Sequence, residues 1–221
     1  MFEKIVHSKV YWFIDHILKI LFINFLMLIS LILGLVIFSI GPTILAGVYT
    51  TKLVYQKYEG SIWTVYFTAF KRFYKKSTLI SFIYVIVGLV LAYNINYFYN
   101  GVENDFTWYS FVFLILTIMF FSFISISYIN TLLIYSCFDQ SDYKDLFKNG
   151  MKLTLAFMIR SVLATITIIL IIILSLVVPI IVLLISFYLF TLIVEMIIFK
   201  AYDKIKAFDN ISTTTANSLI R

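Results

Sequence analysis

Six apolar runs fill most of the chain between residues 20 and 199: Ile20–Ile40, Thr43–Val54, Thr78–Tyr99, Phe106–Cys137, Leu153–Val178 and Ile180–Phe199. A helix needs about 20 apolar residues to cross a hydrocarbon core of roughly 30 Å. All the runs but the second reach that length. In lipid every backbone N–H and C=O must be bonded within the protein, which only helices and closed barrels achieve. A barrel would read as alternating segments of ~10 residues, and no such segments occur. Of the 221 residues only 13% are charged, about half the share in an average soluble domain. The chain therefore reads as an all-α polytopic membrane protein, a single transmembrane domain over residues 1–221.

The second run decides the topology. From Pro42 to Tyr58 it measures ~25 Å as a helix, enough to cross if Lys52 and Lys57 snorkel to the interface. Crossing gives six transmembrane helices; not crossing gives five. With six, Lys4, Lys9, Lys19, Lys52, Lys57, Lys71, Arg72, Lys75, Lys76, Lys144, Lys148, Lys152, Lys200, Lys204, Lys206 and Arg221 share one side. The other side holds Glu103 and Asp105. The positive-inside rule then favours six spans with both termini in the cytoplasm. Tyr93, Tyr97, Tyr99, Trp108 and Tyr109 mark the acidic side; Trp12, Tyr55, Tyr58, Trp63, Tyr66 and Tyr74 mark the basic one, as interfacial aromatic belts do.

In this reading Gly41–Pro42 is the corner of a tight first hairpin. Gly41 lets the chain leave one helix and Pro42 opens the next, where its missing N–H costs nothing. Ser30-xxx-Gly34 and Thr43-xxx-Gly47-xxx-Thr51 are small-residue faces for close packing of the two arms. After it, residues 61–77 carry apolar side chains at helical spacing, including Trp63, Phe67 and Phe70. Lys71, Arg72, Lys75 and Lys76 gather at the end of this segment. It reads as an amphipathic interfacial helix for anionic lipid or a partner, capped by Ser61; an ordinary cytoplasmic connector would show the same pattern. A faint repeat matches Phe70, Lys71, Lys75 and Ser77 to Phe147, Lys148, Lys152 and Thr154, and a second connector helix is expected over 141–151.

No phosphate loop, nucleophile elbow or zinc-spaced His/Cys set is present, so no catalytic, cofactor or metal residue is assigned. His7 and His16 read as interfacial side chains. Cys137 is the only cysteine, which rules out an internal disulfide. Two charges fall within spans, Arg160 and Glu195, and antiparallel neighbours would pair them. Asn24, Ser127, Asn130 and Thr131 read as hydrogen-bonding glue between helices. The net charge of +6 is spread over inter-helix segments and suits topology, not nucleic acid.

With Asn24 before it, the stretch IGPTILAGVYTTKLVYQKYEGSIWTVYFTAFKRFYKKS (40–77) resembles the YesL family of small bacterial membrane proteins. Gly41, Pro42, Ala46, Tyr49, Lys52, Phe67, Phe70 and Lys71 carry the resemblance, over residues 20–80. Phe25–Leu28 stands where that family has a Trp. The resemblance implies a protein of Gram-positive bacteria often encoded beside carbohydrate ABC importers, with no catalytic residues to carry over. It points to a non-enzymatic accessory subunit bound to the permease subunits, or self-associated, within the lipid. The alternative is a substrate-binding membrane component, such as the vitamin-binding subunit of an energy-coupling-factor importer, or a small secondary transporter. Its pocket would be built around Asn94, Asn96, Tyr97 and Trp108. A membrane chaperone or signalling partner using the 61–77 helix is a third.

Overall fold

The computed structural model describes residues 9–56, 60–104, 106–138, 142–180 and 182–199. Expectations placed on Lys4, His7, Lys57, Tyr58, Asp105, Lys200, Lys204, Lys206 and Arg221, and on the side chains of Lys9, Trp12, His16 and Tyr55, lie outside the described residues and side chains. The described elements are helical: α1 (Lys9–Leu33), α2 (Ile40–Tyr55), α3 (Ile62–Glu103), α4 (Trp108–Cys137), α5 (Tyr143–Ala156), α6 (Met158–Val177) and α7 (Phe187–Ile193). Two π-helical segments, Val182–Ser186 and Val194–Phe199, flank α7. Three helices, α3, α4 and α6, are long and apolar enough to cross a membrane.

α3 is the backbone of the molecule. Ser61 caps it, its hydroxyl accepting from the N–H of Thr64 at 3.5 Å. No proline follows before Asn104, and the helix runs unbroken for 42 residues, ~63 Å at 1.5 Å per residue. Residues 61–77 are thus not a separate helix. The charges of Lys71, Arg72, Lys75 and Lys76, in its first half, change its surface without interrupting the helix. One stripe of this helix, Tyr66, Ala69, Phe73, Ser77, Ile80, Ser81 and Tyr84, is buried. The two buried serines bond back along the helix, Ser77 to the carbonyl of Phe73 and Ser81 to the carbonyl of Ser77 at 2.7 Å, which satisfies them without water.

α1 and α2 form a helical hairpin, but its corner is not Gly41–Pro42. The chain leaves α1 at Leu33 and turns through residues 34–39, with Leu35 and Val36 at φ of 54° and 49°. Gly41 and Pro42 lie inside the first turn of α2. Pro42 does sit where its missing N–H is harmless. Neither Gly34 nor Gly41 supplies the positive φ; both are used for closeness instead. A β-branched residue in the left-handed region is strained by roughly 1–2 kcal/mol. Val36→Gly is therefore expected to raise thermal stability by about 1 kcal/mol, read as a higher unfolding midpoint in detergent.

Only six residues separate Tyr55 from Ile62, so α2 returns along the first half of α3. Gly41 packs on Ser77 and Ser81, and Thr78 Oγ1 donates to the carbonyl of Phe38 at 2.8 Å. At the other end Phe22 of α1 meets Trp63, ring centroids 6.3 Å apart. The 34–39 turn therefore lies level with Thr78, one helical turn beyond Lys75. Six even crossings would put this turn and the basic cluster on opposite membrane faces; packing puts them side by side.

α3 and α4 make the second, longer hairpin. Phe73 meets Tyr135, Ser81 meets Tyr128, and Phe98 stacks on Phe113, so the two run antiparallel. Their near halves are buried by the other helices, while the far halves expose apolar side chains such as Leu89 and Phe120. α5 lies across the near half, as expected for 141–151, burying Leu146, Gly150 and Thr154. The fifth apolar run is split: Phe157, at φ −113° and ψ 40°, separates α5 from α6. Of the faint repeat, Ser77 and Thr154 are both buried, but one lies inside an unbroken helix and the other near a helix end.

Candidate functional site: a polar seam and a charged junction

Many hydroxyls and amides in this core hold helices together. Tyr84 OH lies 2.9 Å from both Ser127 Oγ and Thr131 Oγ1, tying α3 to α4. Ser81 bonds Tyr128 at 2.8 Å. Asn130 Nδ2 donates to Thr154 Oγ1 at 2.8 Å, joining α4 to α5. Asn24 Oδ1 accepts from the N–H groups of Phe187 and Tyr188 at 2.9 and 3.3 Å. These donors follow the first π-helical segment, and Asn24 satisfies them from α1. Thr51 and Thr191 bond at 2.9 Å, and Ser175 and Ser186 at 2.8 Å. The glue expected of Asn24, Ser127, Asn130 and Thr131 is what the geometry shows. Tyr84→Phe removes two of these bonds and should cost about 1 kcal/mol, given ~0.6 kcal/mol for an average interhelical bond in lipid, measured by thermal unfolding.

The hydroxyls of Ser30, Thr43 and Tyr66 converge where α1, α2 and α3 meet, all buried, without a hydrogen bond of good geometry among them. Gly47 sits between α1 and α7: a Cβ there would stand 2.6 Å from Met27 Sδ and 2.9 Å from Thr191 Cγ2. This is the close-packing face expected of Gly47.

Arg160 and Glu195, expected as a pair, sit on α6 and on the second π-helical segment. Counting outward along α6 and the last helix from the Ser175–Ser186 bond sets Glu195 level with Ile166. Arg160 is six residues further, ~9 Å along the axis. The charges that act on the Cys137 thiol are those of Lys52 and Glu195. They form a junction of α2, α4 and the second π-helical segment, next to the Thr51–Thr191 bond. Sequence reading missed Lys52 here because it assigned that residue to the interface.

The expected partner segment keeps its chemistry in a different setting. Trp63, Phe67, Phe70 and Tyr74 form a ladder of ring contacts, 4.6 Å between the Trp63 and Phe67 centroids. Lys71, Arg72 and Lys75 are exposed. Arg72 lies over the Phe73 ring at 5.8 Å. Lys76 turns inward over Tyr135 and Tyr143 at 5.4 and 5.2 Å, which clamps α3 to α4 and α5. Asn96, Tyr97 and Trp108, named for a ligand pocket, stand exposed on the far half of the α3–α4 hairpin. Among the described residues no group of three His, Cys, Asp or Glu is placed to hold a metal ion.

Helices of this length and apolarity, joined by buried polar seams, define a helical membrane protein. Residues 20–95, about a third of the chain, match a family described as a protein family of unknown function, DUF624. The match covers the first hairpin and most of α3, the same region that carries the YesL-like resemblance. No curated protein and no solved structure matches the chain.

Proposed function

We propose that this protein is a non-enzymatic integral membrane subunit that works by helix association, as an accessory of a carbohydrate ABC importer. The observation that supports it most is the division of the α3–α4 hairpin. Its near half is locked into the core, and its far half carries an unpacked apolar surface around Gly88, where a Cβ would meet nothing within 4 Å. Small residues at such a surface let another helix approach closely. The importer as partner rests on the resemblance over 20–80. Six crossings and cytoplasmic termini are not needed for this reading; α3, α4 and α6 suffice to anchor it.

Gentle-detergent purification with mass spectrometry tests the proposal. Stoichiometric permease subunits are expected with the wild type. Gly88→Leu should leave the unfolding midpoint unchanged, since nothing lies against it, yet lower permease recovery about tenfold, the effect of one lost close contact of ~1.4 kcal/mol. A protein that purifies without permease subunits would refute the proposal.

A further inference from the structure

Between the first hairpin, α6 and α7 lies a cavity of about 440 Å³, roughly three times the ~150 Å³ that holds a benzene in a soluble core. Leu31, Val36 and Ile40 line it from the first hairpin, and Ile168, Ile172 and Phe190 from α6 and α7. Of its three hydroxyls, those of Ser175 and Ser186 bond each other and that of Thr43 lies buried toward Tyr66, so the wall is almost wholly apolar. A cavity of this kind stays dry and takes hydrocarbon. Leu33, Leu35, Leu176 and Val177 around it are all more than 70% exposed, on surfaces that face lipid in a membrane.

Charge selects the kind of hydrocarbon. Lys71, Lys75 and Thr78 fall at i, i+4 and i+7 on one ridge of α3, and both lysines are exposed. Thr78 holds Phe38 of the same turn whose Val36 walls the cavity beside Ile40 of α2. A cationic ridge thus ends one helical turn from the turn that roofs an acyl-sized cavity. We propose that the cavity takes one acyl chain of an anionic phospholipid whose phosphate rests against Lys71 and Lys75.

The full chain would be purified from vesicles of equal parts phosphatidylglycerol and phosphatidylcholine with the same chains, and its bound lipid weighed by native mass spectrometry. The wild type should retain phosphatidylglycerol over phosphatidylcholine at least about fivefold, the share one lysine contributes near an anionic surface. Lys71→Gln with Lys75→Gln should bring that ratio to about one while lipid stays bound. Ile172→Trp and Leu176→Trp plug the cavity from positions more than half exposed, so the fold is not at stake; each should cut bound lipid of both kinds. Equal retention of the two lipids by the wild type would overturn the headgroup assignment. Lipid held at wild-type level by both tryptophan variants would overturn the cavity assignment.

Discussion

Gly41→Ala is expected to destabilise the protein by about 2–3 kcal/mol, the upper range for overpacking a fitted contact. That corresponds to a fall in unfolding midpoint of roughly 5–10 °C for a chain of this size. The added Cβ would stand 2.6 Å from the Ser77 carbonyl oxygen and against Ser81 Oγ. The carbonyl cannot yield, because it belongs to the ladder of a long helix and also accepts from Ser81. Relief requires moving α2 off α3, which would pull the 34–39 turn away from Thr78. Gly47→Ala makes the contrast. Its nearest neighbours are the flexible end of Met27 and a threonine methyl, which can shift, so the cost should stay below about 1.5 kcal/mol. Equal midpoints for the two variants would mean that α2 is not seated on α3 as described.

Gly150→Val should be nearly as damaging, and through a different pair. A Cβ at Gly150 would meet Thr131 Oγ1, with Thr131 Cβ at 3.1 Å and the Ser127 carbonyl at 3.2 Å. Thr131 Oγ1 is fixed by its bonds to Ser127 O at 2.8 Å and Tyr84 OH at 2.9 Å. Turning it aside breaks both and lifts α5 from α4, which also strains the Asn130–Thr154 bond. We expect a loss of about 2–3 kcal/mol. Thr131→Ala removes the obstructing oxygen, so the double variant should be less damaged than the sum of the singles by 0.5 kcal/mol or more, as contacting residues are. Strict additivity would place α5 elsewhere.

What the sequence shows of this fold is its class and its seams. Apolar runs mark the helices, and Asn24, Asn130 and Thr131 announce themselves because a polar side chain in an apolar run needs a partner. Ser61 is readable as a cap for the same local reason. The corner was misplaced because Gly–Pro is the strongest turn signal in the stretch, whereas tertiary packing forces Leu35 and Val36 into a strained turn and uses Gly41 for contact. The break assumed near Ser77 followed a shift in composition, not a residue that ends helices. Lys52 at the charged junction carried no signal: a lysine near the end of an apolar run looks interfacial whichever way its helix packs.

The central claim is that the 34–39 turn packs beside the basic end of the 61–77 segment, level with Thr78. Phe38→Cys with Thr78→Cys, in a Cys137→Ser background, tests it with a short bifunctional thiol crosslinker in native membranes. The structure predicts rapid intramolecular crosslinking of 38 to 78, and none between 38 and a cysteine at Gly101, ~35 Å further along α3. Absence of the 38–78 crosslink, with position 38 and position 75 labelled from opposite faces of the membrane, would contradict it and restore six even crossings.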